Sequence, residues 1–190
     1  MKKWKKLVAL ALAAILAMSL LTACGGGGGS QSFETQVENA VFSAYSQALG
    51  NRSNLKTNDP ALKKLAGKAL DCVKNGRFSY SSMTQCATVA VSPSNPNKAT
   101  LSMAMPLEDA DGYESEYSYK VLAITPEMLG NLKANKEYIA DSMEDILVDI
   151  EEQGGTLDAI GVAAKTIDGK TYAAIAMAIT GDEKLFDSLF

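Results

Sequence analysis

Residues 7–21 form an apolar run, and we expect the start of the chain up to its end to lie outside the folded domain. The run is about fifteen residues long and follows four lysines, an order typical of a secretory signal peptide. A membrane-spanning helix needs roughly twenty apolar residues, so the run is too short to serve as one. The glycines at 25–29 and Ser30 then make a flexible spacer, which leaves the later residues to build the fold.

Leu21-Thr22-Ala23-Cys24 closes this run and resembles the lipobox of bacterial lipoproteins. The resemblance implies cleavage before Cys24, a diacylglycerol on its sulfur, and a further acyl chain such as palmitate on its new amino group. Two acyl chains anchor a protein stably, whereas one holds it only marginally. We therefore expect a signal peptide at 1–23, a lipidated cysteine with its linker at 24–32, and attachment to the extracytoplasmic face of the cell membrane.

The rest of the chain has the size and charge of one acidic domain. About 155 residues follow the linker, enough for one hydrophobic core and too few for two typical domains, so we expect a single domain at 33–190. Of the 18 basic side chains four lie in the signal peptide, which leaves 14 against 22 acidic ones and a net charge near −8. Such a surface repels a phosphate backbone, so nucleic acid is not an expected partner.

Cys72 and Cys86 are the two cysteines that remain once Cys24 is lipidated. An even pair in an exported chain indicates a disulfide, which would close a loop of about fourteen residues and stabilise the fold by roughly 3 kcal/mol. The alternative is a pair of buried free thiols, because cysteine packs well as a small apolar residue.

Apolar residues at spacings of three and four predict helices at 33–49, 60–75, 126–132 and 139–150, and a short helix is expected at 183–190. The second helix has the strongest boundary signals. Asp59 supplies an N-cap, Pro60 occupies the first helical position, and Gly76 stands where a C′ glycine belongs.

Alternating β-branched residues predict strands at 88–92, 99–105, 117–124, 160–167 and 171–179. The first two strands are expected to form a hairpin with a long loop around Pro93 and Pro96. The last two flank Asp168-Gly169, a strong signal for a tight hairpin turn. Helices and strands in this order predict an α+β domain.

The sequence contains no histidine, which excludes the serine, cysteine and metal mechanisms that require one. Ser53 and Lys56 form a Ser-x-x-Lys pattern, and Lys170-Thr171 begins a strand, as in penicillin-recognising acyl enzymes. Those enzymes have glycine where this chain has Tyr172, so we interpret Ser53 as a turn residue and keep a Ser/Lys hydrolase as the alternative. We expect no zinc or other metal site and no cofactor.

Acidic residues crowd around Gly112, and the set comprises Glu108, Asp109, Asp111, Glu114 and Glu116. The glycine comes too early for a calcium-binding loop, so we expect a solvated acidic turn. A second acidic group between 141 and 152 is expected to form the outward face of a helix. Four methionines are expected to fill the core rather than line a ligand groove, namely Met103, Met105, Met128 and Met143.

Several stretches resemble bacterial CAP domains, the superfamily of cysteine-rich secretory proteins, antigen 5 and pathogenesis-related proteins. Residues 55–62 read Leu-Lys-Thr-Asn-Asp-Pro-Ala-Leu, like the start of a helix in that family, and residues 75–79 read Asn-Gly-Arg-Phe-Ser, like the segment after it. Residues 160–163, which precede the Asp168-Gly169 turn, are similar to the closing strands. The resemblance implies a three-layer α-β-α sandwich.

The pocket residues of that family are missing from this chain. Tyr80 stands where a pocket histidine would follow Phe-Ser, and residues 119–123 have lysine or valine where a glutamate is expected. The family's metal-linked chemistry therefore transfers to no residue here, and we expect Tyr80 to fill the former pocket.

These observations predict a non-catalytic binding or cell-surface interaction module, anchored through Cys24, with an unknown protein, peptide or lipid ligand. The alternatives are a Ser/Lys hydrolase that acts on cell-wall material and a carrier of lipids or peptides. A carrier requires an apolar groove larger than a packed core leaves.

Overall fold

In a computed structural model of the 190-residue chain, the described residues are 31–48, 55–115, 117–134, 147–148 and 150–189. They form the α+β fold that the sequence predicts. The helices are α1 (Phe33–Ala48), α2 (Pro60–Asp71), α3 (Pro126–Ala134) and α4 (Glu183–Leu189), with a 3-10 helix at Tyr80–Cys86. The strands are β1 (Arg77–Ser79), β2 (Ala87–Ser92), β3 (Asn95–Pro106), β4 (Glu108–Ser115), β5 (Ser118–Val121), β6 (Thr156–Ile167) and β7 (Lys170–Gly181).

The strands form two antiparallel sheets, one with the order β2-β3-β7-β6 and a smaller one with the order β1-β5-β4. The β6–β7 hairpin turns through Asp168 and Gly169, whose φ angles are 51° and 76°. Positive φ at both central residues is the geometry of a type I′ turn, so this predicted hairpin is confirmed.

The β2–β3 hairpin is tighter than its proline-rich sequence predicts. Ser92 pairs with Asn95, so the connection is a two-residue turn and not a long loop. The prolines are accommodated because Pro93 lies in that turn and Pro96 lies at the start of β3, where few ladder hydrogen bonds are lost.

Strand β7 directs alternate residues to the two faces of the larger sheet. One apolar cluster joins α1 and α3 to its odd-numbered residues Ala173, Ile175 and Ile179. A second cluster joins α2 to its even-numbered residues Ala174, Ala176 and Ala178. Helices therefore cover both faces of this sheet.

Helix α2 lies on a sheet surface of small side chains. Residues of this surface include Ala104, Gly161, Ala163, Ala174 and Ala176. A Cβ atom on Gly161 would lie 2.3 Å from the backbone nitrogen of Lys63 and 2.5 Å from the carbonyl carbon of Leu62. The backbone of α2 thus rests directly on β6, and only glycine permits this approach.

The start of α2 matches the prediction. Asp59 Oδ1 accepts hydrogen bonds of 2.9 Å from the backbone nitrogens of both Ala61 and Leu62, which confirms the N-cap. The helix ends at Asp71, four residues earlier than predicted, because Cys72 and the next residue bond back to carbonyls only three residues before them.

Gly76 does not follow the helix as a C′ residue, contrary to the prediction. Asn75 and Gly76, with φ angles of 53° and 71°, form a tight turn that joins Lys74 to Arg77. The two flanking residues exchange backbone hydrogen bonds of 2.9 and 3.0 Å. The glycine is needed for its positive φ, but in a turn that leads into β1.

The outer edge of β6 is covered by side chains from the helical layer. Val162 N donates to Asn58 Oδ1 at 2.8 Å, and Asn58 Nδ2 donates to the Val162 carbonyl at 3.0 Å. Thr166 N donates to Glu34 Oε1 at 2.6 Å. At the opposite edge, Val89 and Val91 of β2 remain 66% and 62% exposed.

The acidic stretch predicted as a solvated turn is a strand. β4 pairs with β5, with a register shift between Glu108 and Tyr113. A Cβ atom on Gly112 would lie 2.5 Å from the Asp109 carbonyl oxygen and 2.9 Å from that of Lys120, so the backbone is closely packed here. Aspartate and glycine are poor strand formers, and tertiary pairing overrides that preference.

The remaining elements follow the predictions within a few residues. Thr125 Oγ1 accepts a 3.3 Å hydrogen bond from Met128 N at the start of α3. The predicted strand at 117–124 is shorter, and Ile124 forms only an isolated bridge to Thr171. Most of the predicted helix at 139–150 lies outside the described residues, although 147–148 and 150–152 are helical.

Candidate functional site

The position that the CAP resemblance assigns to a pocket histidine is packed with aromatic rings. Tyr80 begins the 3-10 helix, and its ring centroid lies 5.7 Å from that of Tyr119. Phe78 lies 5.6 Å from the same ring on a tilted plane. Tyr119 is fully buried and its hydroxyl donates to the Pro106 carbonyl at 3.1 Å. Rings and one internal hydrogen bond therefore occupy this region.

Burial dominates the electrostatics of the aromatic region. It raises the pKa of Tyr119 well above its ordinary value, and the negative charges that Glu108, Tyr80 and Cys86 carry when ionised raise that pKa further. Burial also raises the pKa of Glu108, with a smaller contribution from Asp109. Glu108 is thus a partly buried strand residue at the edge of the smaller sheet and not part of a solvated turn.

The two cysteines lie side by side where α2 ends and β2 begins. Cys72 is the C-cap residue of α2 and is half-buried, whereas Cys86 ends the 3-10 helix and is fully buried. Both are free thiols in this structure. Burial, as the largest cause, and the charge and hydrogen bond of the neighbouring Cys72 thiol together raise the pKa of Cys86 to about 11. Each sulfur is thus a near neighbour of the other.

A concave surface of about 410 Å³ opens between α2 and β6, and we name it the lysine cleft. Its rim consists of Lys64, Lys68, Asp71 and Lys165. Its floor is formed by Gly67 and Ala164 above the fully buried Leu70. Three ammonium groups and one carboxylate leave two net positive charges here, although the chain as a whole has a net charge of −4.

Two rim lysines have their ammonium groups placed by neighbours. Lys165 Nζ forms an ion pair with Asp71 Oδ1 across the cleft. Lys68 Nζ lies 3.4 Å from the Gln85 carbonyl, which places it beside the 3-10 helix. Lys64 lies one turn before Lys68 and makes no ion pair with any residue that the structure describes. Each ammonium has three donors, so these contacts leave capacity for a ligand.

On the side that faces the cleft, helix α2 has residues that lower the stability of the helix although packing does not require them. Glycine inside a helix costs about 1 kcal/mol relative to alanine, yet a Cβ atom on Gly67 would meet nothing within 4 Å. Lys64 and Lys68 form a like-charge pair at a spacing of four, which costs about 0.2–0.5 kcal/mol. Both unfavourable features lie on the side of the helix that faces the cleft.

A second concave surface of about 480 Å³ lies at the β2–β3 hairpin and α4. Its charged lining residues are Lys98, Asp182, Glu183 and Lys184. Two positive and two negative groups balance, so this surface lacks the charge excess of the lysine cleft.

The residues of the hydrolase alternative are only partly described. Lys56 and Lys170 are both exposed. Thr171 is buried and its carbonyl accepts a 2.8 Å hydrogen bond from Ile124 N, so it serves the connection to α3. Ser53 lies outside the described residues, as does Cys24.

Two further sequence predictions concern the position of four methionines and metal binding. Met103 and Met105 are buried and Met128 packs against the core, which confirms core filling for these three, whereas Met143 lies outside the described residues. Among the residues that the structure describes, no group of three or more aspartate, glutamate or cysteine side chains is placed to hold a metal ion.

The lysine cleft is the feature that sequence reasoning missed. The spacing of Lys64 and Lys68 on a predicted helix was a visible signal, and so was the glycine between them. Lys165 completes the rim from β6, which is distant in sequence from α2, so no local sequence pattern predicts this contact.

No protein-family model matches this chain, and it has no match among curated protein sequences or solved structures.

Proposed function

We propose that this chain is a lipoprotein that is anchored through Cys24 on the extracytoplasmic side of the membrane and acts as a non-catalytic binding module. The signal-like start and the lipobox-like tetrapeptide at 21–24 support the anchor. No helix among the described residues is long and apolar enough to cross a membrane.

A CAP-like sandwich is the proposed architecture of the anchored domain. The arrangement that supports it is the burial of alternate β7 residues in two clusters, with α1 and α3 on one face and α2 on the other. The aromatic packing of Tyr80 on Tyr119 supports a pocket that is filled by side chains.

The observation that carries the binding function is the lysine cleft. It offers an apolar floor and charged donors at the surface, within the size range of ligand pockets. The aromatic region, by contrast, buries Tyr119, and burial raises the pKa of its phenol well above the ordinary value, so this group is a poor general base near neutral pH. The open concave surface of the lysine cleft and the side chains with raised pKa values in the aromatic region therefore lie in different parts of the molecule.

A disulfide between Cys72 and Cys86 is proposed for the exported protein. The contact of the two thiols supports it, and an oxidising disulfide of a partner protein would accept the two hydrogens and become a dithiol. Thiol counting on denatured, unreduced protein from the membrane fraction tests it. We expect no free thiol from this pair, and two free thiols would contradict the pairing.

The anchor is tested by metabolic labelling with a clickable palmitate analogue in cells that produce the full chain. We expect label and membrane retention in wild type, loss of both in Cys24→Ser, and retention of both in the matched control Cys72→Ser. Membrane retention that survives Cys24→Ser would overturn the lipid anchor.

The non-catalytic assignment is tested on the same preparation with peptide, ester and wall-fragment substrates. We expect no turnover. Turnover that Ser53→Ala abolishes would replace the binding module with the Ser/Lys hydrolase.

A further inference from the structure

We propose that the lysine cleft binds a phosphate monoester that carries an apolar moiety. The inference rests on the proposed function as a binding module and adds the chemical class of its ligand. The phosphoryl group would contact the ammonium groups of Lys64, Lys68 and Lys165, and the apolar part would lie on the floor.

Charge selects a dianion over a monoanion. The three rim lysines and Asp71 leave two net positive charges at the cleft. A phosphate monoester carries about 1.5 to 2 negative charges at pH 7, whereas a carboxylate carries one. Lysine is also a common phosphate ligand in proteins, where it acts as a point charge.

The floor selects an amphiphilic ester over inorganic phosphate. Ala164 and the bare backbone of Gly67, which lie above the fully buried Leu70, present little that can form hydrogen bonds. A ligand with only polar groups would leave this surface hydrated, whereas an alkyl group would cover it and gain from the release of water. Gly67 lines the cleft, and a Cβ atom there would meet nothing within 4 Å.

The local composition of α2 supports a ligand role over a structural one. Packing does not require Gly67, and the pair Lys64 and Lys68 lacks a compensating carboxylate between them on the helix. Functional sites are where proteins retain locally unfavourable residues. The second concave surface, with its balanced charges, shows no such feature and serves as an internal control.

The test uses the full chain in a neutral detergent and butyl phosphate as the probe, with binding measured by titration calorimetry. We expect saturable binding that is at least tenfold tighter than that of inorganic phosphate or butyrate. Affinity should fall as pH drops below about 6, because the phosphate then loses its second charge while the lysines keep theirs.

Three variants locate the binding site. Lys64→Gln with Lys68→Gln together should weaken binding at least tenfold, and Gly67→Leu should do the same by filling the floor. Lys184→Gln removes a lysine from the second concave surface and should leave affinity unchanged. Equal affinity in wild type and the double lysine variant, or loss in Lys184→Gln, would overturn the proposal.

Two glycine-to-alanine variants separate an effect on ligand binding from an effect on folding stability. Gly67→Ala and Gly130→Ala both replace an open helical glycine, and neither new methyl group meets an atom within 4 Å. Both should raise the melting temperature, but only Gly67→Ala should weaken butyl phosphate binding. If both or neither weaken it, the cleft is not the site.

Two further probes distinguish the sources of such a ligand. Dihexanoyl phosphatidic acid represents a lipid headgroup, and glucose 1-phosphate represents a soluble phosphorylated metabolite. Tighter binding of the first assigns the cleft to lipid, and binding of the second alone contradicts the need for an apolar moiety. If palmitate labelling at Cys24 succeeds and no phosphate probe binds, the ligand inference fails while the anchor stands.

Discussion

Two glycines at the contact between α2 and β6 have opposite surroundings. Gly161 lies under the helix, where a Cβ atom would come within 2.3 Å of the Lys63 backbone. Gly67 lies on the helix beside the cleft, where a Cβ atom would meet nothing within 4 Å. Close approach requires the first glycine, whereas the second only keeps space open. The same residue type therefore marks the most tightly packed part of this contact and its emptiest part.

The two sides of α2 differ in polar contacts as well. At the packed side, Asn58 and Asp59 satisfy backbone groups of β6 and of the helix itself. At the cleft side, Lys64 and Lys68 repel each other, and Lys165 is held by an exposed ion pair of small value. The stabilising contacts of α2 are concentrated on one side of the helix, and the proposed binding surface lies on the other.

Gly161→Ala is expected to have the largest effect. The added methyl group meets backbone atoms, which cannot rotate away, so α2 must move off the sheet. We expect a loss of about 3 kcal/mol in the free energy of unfolding, measured by urea denaturation. A loss below about 0.5 kcal/mol would show that α2 does not rest on β6 as described.

Asn58→Ala is expected to have the next largest effect. The change removes both hydrogen bonds to Val162 and leaves a half-buried backbone N–H without its acceptor. We expect a loss of about 2 kcal/mol in urea denaturation. Asn97→Ala, in the exposed segment at the start of β3, is the matched control and should be nearly neutral.

Gly67→Ala is expected to raise the free energy of unfolding, whereas the two preceding substitutions lower it. Alanine is the better helix former and finds empty space, so the free energy of unfolding should rise by up to about 1 kcal/mol. Calorimetric melting should show an increase of roughly 2–4 °C. A destabilised variant would mean that the cleft side of α2 is packed after all, and the contrast between the two glycines would disappear.

Local signals in the sequence predict the parts of this contact that depend on neighbouring residues. Asp59-Pro60 fixes the start of α2, and Asp168-Gly169 fixes the β6–β7 hairpin, because cap and turn geometries involve only a few consecutive residues. A lone glycine inside a strand pattern is a sign of close approach, so Gly161 was open to prediction from its position alone.

The rest depends on contacts between distant segments. The smaller sheet pairs β4 with β5 despite the aspartates and glycine in β4. The lysine cleft requires β6 to bring Lys165 beside α2. Such features follow from tertiary packing, which overrides local preference.

The smallest expected effect is a loss of folding stability at alkaline pH. It arises from Cys86, which lies beside the end of α2, where the packed and open sides of this helix meet. Burial raises the pKa of Cys86 to about 11 in the folded chain, from an ordinary value of 9.0. A raised pKa gives stability that is complete below pH 9.0 and is lost as pH rises toward 11, because the unfolded thiol ionises first. The loss between about pH 9 and pH 10 should stay below about 1 kcal/mol. Cys86→Ala should flatten this part of the profile in reduced protein, measured by urea denaturation at each pH. Lys68 lowers the folded-state pKa of Cys86, so Lys68→Gln should extend the alkaline loss to higher pH without moving its onset near pH 9.0, and an unchanged profile would place Lys68 away from the thiol pair.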